Sequence, residues 1–263
     1  MEGLQVPNTE FAKKAVISLS GGLDSTMLLM ELFAQGIEEV HAYSFSYGQK
    51  HSIELKKVKK NVKFLQAKGF NILHQIIDLK DAFSDSASSL HEGGEEIPQG
   101  HYDDSNMKST VVENRNIIFS AIVYAKALGW ANKTGENVFI TLGLHAGDHC
   151  IYPDCRPESQ AMVKELFRIS NWGSERIDYI APFEYIDKGK VLEAGLESME
   201  VLGFTHAEMK KVLKNTHTCY NPNEKGESCG RCGSCDERRG AFKEVCTKNR
   251  WKWLKKDPIP YAN

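Results

Sequence analysis

The chain has 263 residues, of which 41% are hydrophobic and 26% charged, a composition typical of a globular protein with a core of its own. Its net charge of −2 argues against a nucleic-acid partner, which would be held by an excess of positive charge. The first residues carry an acid, and no apolar run approaches the length that spans a bilayer. We therefore expect a cytoplasmic protein that contacts neither a membrane nor nucleic acid directly.

Strands alternate with helices along the first 200 residues. Apolar, β-branched runs predict strands at 14–20, 40–45, 70–79, 138–144 and 179–183. Helical spacing predicts helices at 25–33, 52–68, 116–128, 158–170 and 188–202. This alternation is typical of an α/β fold, a parallel sheet with helices on both faces. Residues 82–107 predict a long loop or flap. After about residue 216 the sequence becomes rich in Cys, Gly and charged residues, which predicts two domains, 1–215 and 216–263.

Residues 20–26, Ser-Gly-Gly-Leu-Asp-Ser-Thr, lie between the first predicted strand and the first predicted helix. Two glycines let the backbone approach an anion, and the helix N-terminus presents free N–H groups and the positive end of its dipole. Asp24 repels a bare phosphate but suits Mg²⁺ held between phosphates. The alternative is a tight turn with Asp24 or Ser25 as the helix cap. The complete segment between strand and helix favours phosphate binding.

This segment resembles the SGGxDS loop of the ATP pyrophosphatase superfamily, and four further segments narrow the resemblance. They are Ser-Tyr-Gly-Gln-Lys-His at 46–51, Ser-Thr-Val-Val-Glu-Asn-Arg-Asn at 109–116, His-Ala-Gly-Asp-His-Cys-Ile-Tyr-Pro-Asp-Cys-Arg at 145–156 and a cysteine cluster within 219–235. In this order they resemble the 7-cyano-7-deazaguanine synthase family of the queuosine and archaeosine pathways, from about residue 14 to about residue 243. The resemblance implies a Rossmann-like sheet of the adenine nucleotide alpha hydrolase type and a homodimer.

The resemblance also implies which residues hold ATP with its Mg²⁺. The expected ATP contacts are Ser18, Leu19, Ser20, Gly21, Gly22, Leu23, Asp24, Ser25, Thr26 and Gly48. Lys188 is expected near the phosphates, with Lys190 as its substitute should the alignment differ. A cation there stabilises the charge that develops as pyrophosphate leaves. The expected catalytic residues are therefore Asp24, Lys188 and Arg115.

The substrate is expected among residues that follow strand ends or precede a helix, where open α/β sheets form their ligand crevice. The expected substrate-binding residues are Tyr47, Gln49, Arg115, Asn116, His145, Asp148, Tyr152, Asp154 and Arg156. Carboxylates suit the N–H edge of a deazaguanine, guanidinium groups fork onto carboxylates or phosphates, and tyrosine rings stack on a purine-like ring. Each residue also has an ordinary interpretation as packing, turn or surface charge.

Two local differences separate the chain from the usual family pattern. Asn114 stands where the family commonly has Gly, and residues 148–153 read Asp-His-Cys-Ile-Tyr-Pro where many members have Asp-Tyr-Ser-Gly-Tyr-Pro. In addition, residues 84–107 and 203–216 have no clear counterpart in the family. These differences concern the details of base recognition.

Four of the seven cysteines, Cys219, Cys229, Cys232 and Cys235, have the spacing C-x9-C-x2-C-x2-C. Four thiolates complete a tetrahedral Zn²⁺ site with no open position, so we expect this zinc to be structural. An Fe–S cluster, a redox pair and plain buried thiols are the alternatives. Cys150, Cys155 and Cys246 lie outside the cluster.

The resemblance implies an ATP-dependent C–N ligase that converts 7-carboxy-7-deazaguanine and ammonia to the nitrile through adenylated intermediates and an amide, with release of AMP and pyrophosphate. An enzyme of the same fold that stops at the amide, or that joins the deazaguanine acyl group to another amine, remains an alternative. A tRNA-modifying ATP pyrophosphatase would need a basic face. A zinc-knuckle binding module with an inert loop would release no pyrophosphate.

Overall fold

The computed structural model describes residues 4–50, 52–100 and 105–262. His51, part of one predicted site segment, lies outside the described residues. Five strands form one sheet in the order β3-β2-β1-β4-β5, and every pair is parallel. The strands are β1 (Lys14–Ser18), β2 (Glu39–Ser46), β3 (Asn71–Asp78), β4 (Val138–Leu142) and β5 (Ile177–Ile180). The predicted parallel α/β fold is confirmed.

Seven α-helices accompany the sheet in the described part of the chain. They are α1 (Leu23–Ala34), α2 (Ile53–Ala67), α3 (Arg115–Thr134), α4 (Pro157–Ser170), α5 (Lys188–Val201), α6 (His206–Lys214) and α7 (Gly233–Thr247). The predicted helix at 116–128 continues to Thr134, because α3 ends only at Gly135, a left-handed residue with φ of 75°. The last strand begins two residues before its predicted start and ends three before its predicted end.

Helices cover both faces of the sheet, which explains why its central strands are apolar runs rather than alternating sequences. Ala15, Val16 and Ile17 of β1 are completely buried. Ala15 and Ile17 belong to the hydrophobic cluster that includes side chains of α1 and α5, whereas Val16 belongs to the cluster on the α3 side. Successive residues of one strand therefore contribute to two cores.

The segment 203–216, for which no structure was predicted, contains helix α6. Its N-terminus is a capping box, in which the Thr205 hydroxyl accepts a bond from the Glu208 backbone N–H (3.3 Å) and the Glu208 carboxylate accepts one from the Thr205 N–H (2.8 Å). The helix buries Met209, Val212 and Leu213. In contrast, residues 84–100 carry no helix or strand, which agrees with the loop predicted at 82–107, but short 3₁₀ helices at Asp81–Phe83 and Ser105–Thr110 overlap the ends of that prediction.

The C-terminal segment packs against the α/β core through α7. Phe242, Val245, Trp251 and Leu254 belong to the same buried cluster as residues of α1 and α5. The division into domains at residues 215 and 216 stays a prediction. Within the described ranges, each helix is too short or too polar to cross a membrane.

The strand order places a crevice beside β1. The chain runs outward through β2 and β3 on one side, then returns to build β4 and β5 on the other. Helices that follow the two sides diverge at the carboxyl ends of β1 and β4, the position where open α/β sheets bind ligands. The loop after β1 is the predicted phosphate segment.

Candidate active site

A cavity of about 230 Å³ opens at the carboxyl ends of β1 and β4. It is bordered by residues from the phosphate segment, the loop after β2, the first turn of α3, the loop after β4, α5 and the C-terminal segment. Twelve predicted site residues line it: Ser18, Ser20, Gly22, Asp24, Ser25, Tyr47, Gln49, Arg115, Asn116, Asp148, Tyr152 and Lys188. The fold thus brings together residues that lie up to 170 positions apart in the sequence.

The phosphate segment turns sharply into α1. Gly21 has φ of 91°, and a Cβ there would lie 2.5 Å from the backbone oxygen of Glu54. The cap of α1 is Gly22, without a side-chain bond, so neither Asp24 nor Ser25 serves as the cap. The Ser20 and Ser25 hydroxyls lie 3.0 Å apart and border the cavity. The segment therefore presents hydroxyls and a helix N-terminus to an anion.

Other predicted ATP contacts do not border the cavity but lie behind the Ser20 and Ser25 hydroxyls. Leu19 and Leu23 are buried in the hydrophobic core, and the Thr26 hydroxyl donates to the Gly22 carbonyl oxygen at 2.7 Å. Gly48 does not border the cavity, although its φ of 80° forms the turn beside it. A Cβ at Gly48 would lie 2.3 Å from His91 Nε2, so this glycine lets the 84–100 loop pack closely.

Lys188, the first residue of α5, lies between two carboxylates. Its Nζ donates to Glu237 Oε2 at 2.5 Å and lies 3.3 Å from Asp24 Oδ2. Burial disfavours the charge of Lys188, but Asp24 and Glu237 outweigh it and raise the pKa of the ammonium above its ordinary value. Asp24 Oδ1 is buried without a hydrogen-bond partner among the described residues. Lys190, the possible substitute, is exposed and lies 4.0 Å from Asp187.

Glu237, which the sequence did not single out, links this lysine to His145. Glu237 Oε1 lies 3.7 Å from His145 Nε2, and Asp148 Oδ1 lies at the same distance from that nitrogen. His145 is 1% exposed, and its Nδ1 accepts a bond from the Gly147 N–H at 3.0 Å. Because Nδ1 accepts, a neutral His145 carries its proton on Nε2, toward the two carboxylates. His145 thus lies behind the cavity wall.

Arg115 is held between two tyrosine rings. Its Cζ lies 5.6 Å from the centre of the Tyr47 ring and 5.8 Å from that of Tyr152, and its Nη1 donates to the Tyr47 hydroxyl at 3.3 Å. The Tyr152 hydroxyl also contacts Thr110 and Tyr220, each at 3.0 Å. Arg115 Nε is buried with no hydrogen-bond partner in the described part of the chain. The tyrosines orient the guanidinium, and their stacking on a base stays a prediction.

Asp154 and Arg156 do not border the cavity. Asp154 accepts bonds from the backbone N–H and the side-chain amide of Asn116, at 3.0 and 3.1 Å, and so stabilises the first turn of α3. Arg156 is exposed, and its Nε donates to the His149 carbonyl oxygen at 3.1 Å. The structure thus places two predicted substrate contacts in supporting positions.

Comparison with known proteins identifies the family. The model of the family described as "Queuosine biosynthesis protein QueC" matches residues 14–246. A 7-cyano-7-deazaguanine synthase from Marinomonas sp. (strain MWYL1) is 40% identical over 252 residues, which cover 95% of this chain and 99% of that protein. One from Hahella chejuensis is 41% identical over 230 residues, 87% of this chain and 88% of that protein. The chain belongs to the QueC family.

Membership establishes an ATP-dependent enzyme of queuosine biosynthesis and confirms the resemblance drawn from the motifs. Among solved structures, a U34-tRNA thiolase NcsA from Methanococcus maripaludis with its [4Fe-4S] cluster covers 93% of this chain and 74% of its own, at 15% identity and a TM-score of 0.38.

The Asn114 difference from the QueC pattern has a direct backbone explanation. Asn114 caps α3 with φ of 55°, in the left-handed region. Gly adopts this conformation freely, and Asn is among the side chains that tolerate it best. The replacement therefore preserves the turn that delivers Arg115 and Asn116.

Glu54 is a second cavity residue that the motifs did not indicate. It lies in the first turn of α2, and its Oε1 accepts a bond from Gln49 Nε2 at 3.2 Å. Gln49 in turn accepts from the Tyr47 N–H (2.8 Å) and donates to the Phe45 carbonyl oxygen (3.1 Å), so it braces the loop after β2. Burial raises the pKa of the Glu54 carboxyl to about 7.

The four predicted metal ligands come together in the C-terminal segment. The sulfurs of Cys219, Cys229, Cys232 and Cys235 all lie within 4.8 Å of one another. The backbone N–H groups of Asn221 and Cys229 donate to Cys219 Sγ, at 3.3 and 3.2 Å. Four convergent sulfurs with N–H donors suit a tetrahedral metal ion.

Cys155 borders the cavity, but its surroundings do not activate its thiol as a nucleophile. Asn116 donates its side-chain amide to Cys155 Sγ at 3.1 Å, and burial raises the pKa of the thiol well above its ordinary value. A thiol that stays protonated is a poor nucleophile. This agrees with a reaction that needs no covalent enzyme intermediate.

Proposed function

We propose that the chain converts 7-carboxy-7-deazaguanine and ammonia to 7-cyano-7-deazaguanine by two successive adenylations. The observation that carries this proposal is the composition of one cavity. Phosphate-binding groups, Ser20, Ser25 and Lys188, line the same cavity as the tyrosine-held Arg115. Such a cavity holds a nucleotide tail and an acid side by side, which is what adenylation of an acid requires.

The phosphate groups of ATP are proposed to lie on the N-terminus of α1, within reach of Lys188. The buried ammonium opposes the charge that develops on the departing pyrophosphate. Mg²⁺ fits beside Asp24, because Oδ1 of this carboxylate is buried and without a partner among the described residues. When bound, the ion supplies charge neutralisation between the phosphates.

Arg115 is proposed to orient the carboxylate of the substrate. Its Nε has no partner among the described residues, and the two tyrosine rings restrict the plane of the guanidinium. A planar fork of N–H donors matches a carboxylate. In this arrangement one carboxylate oxygen is directed at the α-phosphorus of ATP. It forms a bond to that phosphorus and displaces pyrophosphate, so the acid becomes an acyl adenylate.

The acyl adenylate then reacts with ammonia to give the amide and AMP. A second ATP adenylates the amide oxygen, and loss of AMP leaves the nitrile. Adenylation is needed at both stages because neither a carboxylate nor an amide loses its oxygen unaided at neutral pH. The proposed contribution of the protein is orientation, charge stabilisation and exclusion of water.

The ion at the cysteine cluster is proposed to be a structural Zn²⁺. The donor set consists of four thiols, and among the residues that the structure describes no further His, Cys, Asp or Glu side chain joins the group. Metal analysis of purified protein should give one zinc per chain and no iron-dependent absorbance. One iron–sulfur cluster per chain would instead select the Fe–S alternative.

A homodimer is proposed through the outer face of α4. Met162, Leu166 and Ile169 recur at helical spacing and are 75%, 54% and 64% exposed, and Trp172 just beyond the helix is 97% exposed. Glu165 and Arg168 flank Leu166 and form an ion pair. Antiparallel pairing of two copies about Leu166 would bring Glu165 of each beside Arg168 of the other, a self-complementary contact.

The function is tested by mass spectrometry of the products formed from 7-carboxy-7-deazaguanine, Mg-ATP and ammonium. The nitrile, with two AMP per product, is the expected result. Amide alone, or an adduct with another amine, would select the alternative ligases, and the absence of AMP formation would contradict the proposal. Asp24→Ala should abolish AMP formation while fold and zinc content stay intact, because Lys188 retains its bond to Glu237.

The product is proposed to be released as a small molecule rather than formed on a nucleic acid. The formal net charge of −2 supports this, because tRNA binding relies on many cationic contacts. Adding tRNA to the assay should therefore leave the rate of AMP formation unchanged. A stimulated rate or a modified tRNA would favour the tRNA-modifying alternative.

A further inference from the structure

Glu54 lies where the two halves of the cavity meet. The backbone oxygen of Glu54 packs against Gly21 of the phosphate segment, so closely that a Cβ on Gly21 would lie 2.5 Å from it. Its side chain points to the half of the cavity that contains Arg115. There Oε1 accepts a hydrogen bond from Gln49 (3.2 Å), and the Arg115 charge interacts with the carboxylate. A substrate acid activated between Arg115 and the phosphate segment therefore reacts beside Glu54.

The Glu54 carboxyl group has few hydrogen bonds that would prevent it from reacting. Gln49 is the one hydrogen-bond partner that the described residues supply to this side chain, and it reaches Oε1 alone. Glu54 borders the cavity, and Gln49 leaves one oxygen of its carboxylate, Oε2, unengaged. The raised pKa of about 7 means that the group both accepts and returns a proton near neutral pH.

The reaction under Proposed function requires such a group. At neutral pH ammonia, like the lysine side chain, is present mainly in its protonated form. Ammonium has no lone pair with which to attack carbon. The other two acids that border the cavity are already engaged. Asp24 is adjacent to Lys188, and Asp148 accepts a hydrogen bond from the His145 backbone N–H. Lys188 and Arg115 are cations and cannot take a proton from ammonium.

We propose that Glu54 is the general base that activates ammonium for attack on the adenylated substrate, an inference that rests on the proposed function. The Glu54 carboxylate takes one proton from ammonium and becomes a carboxylic acid, leaving neutral ammonia. The nitrogen lone pair forms the C–N bond, and the C–O bond to AMP breaks with its electron pair leaving on AMP. The new amide loses its surplus N–H proton to water, and Glu54 returns its own proton to water before the next cycle.

The same carboxylate serves the dehydration step. Adenylation of the amide oxygen first gives a cation with two N–H bonds, which loses one proton to water and becomes a neutral imidate with one N–H bond. Glu54 takes the remaining N–H proton, the freed electron pair forms the third C–N bond, and the C–O bond breaks as AMP leaves. One base placed beside the acyl carbon thus accounts for proton removal in both nitrogen steps, and neither step requires an oxidant or a reductant.

The test separates adenylation from nitrogen transfer in Glu54→Gln by changing the nucleophile. Hydroxylamine is largely neutral near pH 7 and needs no base, so it should trap the acyl adenylate of the variant as a hydroxamate. We expect the hydroxamate rate to stay within about threefold of wild type, while amide formation from ammonium chloride falls about 100-fold or more, the usual contribution of a general base. Glu54→Asp, which keeps a carboxylate, should recover part of the ammonium rate.

Glu158→Gln is the matched control, because Glu158 occupies the same second position of a helix, in α4, but is exposed and outside the cavity. Equal loss with both nucleophiles would overturn the proposal, since it would show a role in structure or adenylation. Unchanged use of ammonium would overturn it as well. Wild-type enzyme that forms no hydroxamate would instead refute the adenylation on which the inference rests.

Discussion

At the scale of single residues, Arg115 shows how the neighbours of a side chain define its chemistry. Two tyrosine rings flank the guanidinium, and one of their hydroxyls accepts a bond from it. A lysine keeps the positive charge but cannot fork onto a carboxylate. Since hydrogen bonds to charged groups contribute about 1.5–3 kcal/mol, we expect Arg115→Lys to lower kcat/KM for the deazaguanine acid about 10–100-fold, while KM for ATP changes little.

The same substitution at Arg156 provides the control for that prediction. Arg156 is exposed, lies outside the cavity and bonds through Nε to a backbone carbonyl. Steady-state kinetics of Arg156→Lys should match wild type for both substrates. An equal loss in both variants would mean that the guanidinium of Arg115 has no special relation to the acid.

Residue motifs predicted the cavity better than they predicted individual contacts. The motifs lie on loops at one sheet edge, so their assembly follows from the strand order. Whether a given side chain faces the cavity depends on one local turn, and Asp154 is directed at Asn116 instead. Glu237 and Glu54 belong to no recognised motif. Glu237 reaches Lys188 only because α7 packs against α5. Glu54 is close to Gln49 in the sequence, but the sequence does not display its approach to Gly21.

At the scale of elements, the start of α3 depends on one left-handed residue. Asn114 has φ of 55°, and the next two residues are Arg115 and Asn116. An ordinary side chain in this conformation costs about 1–2 kcal/mol, so Asn114→Ala should lower the free energy of unfolding by about 1 kcal/mol. Asn114→Gly should remain near wild type. Urea denaturation of both variants measures this difference, and equal stabilities would contradict the role of the turn.

Helices with a strong apolar period were predicted, whereas α6 and α7 were not. The Thr205–Glu208 capping box is visible in the sequence, but the helix that follows has only nine residues. Cys232 caps α7, Cys235 lies in its first turn and Gly240 in its middle, so its sequence is typical of a metal-binding loop. Its helical form comes from packing Phe242 and Val245 into the core, which is tertiary information.

At the scale of the whole molecule, the parallel sheet follows from the alternation of strands and helices, and its order explains where the site lies. Because the chain builds strands outward on each side of β1, it leaves a crevice at the carboxyl ends of β1 and β4. The C-terminal segment closes this crevice, since His217, Thr218 and Tyr220 border the cavity. The cysteine cluster therefore supports one wall of the active site, although it lies outside the sheet.

The outer face of α4 provides the last test, because its apolar side chains are unusually exposed for a protein that acts alone. If two copies pair about Leu166, Leu166→Glu places two carboxylates opposite each other at the centre of the contact, where like charges repel. Sedimentation velocity should show a dimer for wild type and a monomer for this variant. Because Leu166 is 54% exposed within one chain, the fold, the zinc content and AMP formation should persist.

Val201→Glu is the control for this surface change. Val201 is 73% exposed at the end of α5, on another helix. The substitution introduces the same charge as Leu166→Glu but leaves α4 unchanged, so the Val201→Glu variant should sediment as wild type does. A wild-type monomer, or a Leu166→Glu variant that remains dimeric, would show that the apolar face of α4 does not join two copies of the chain.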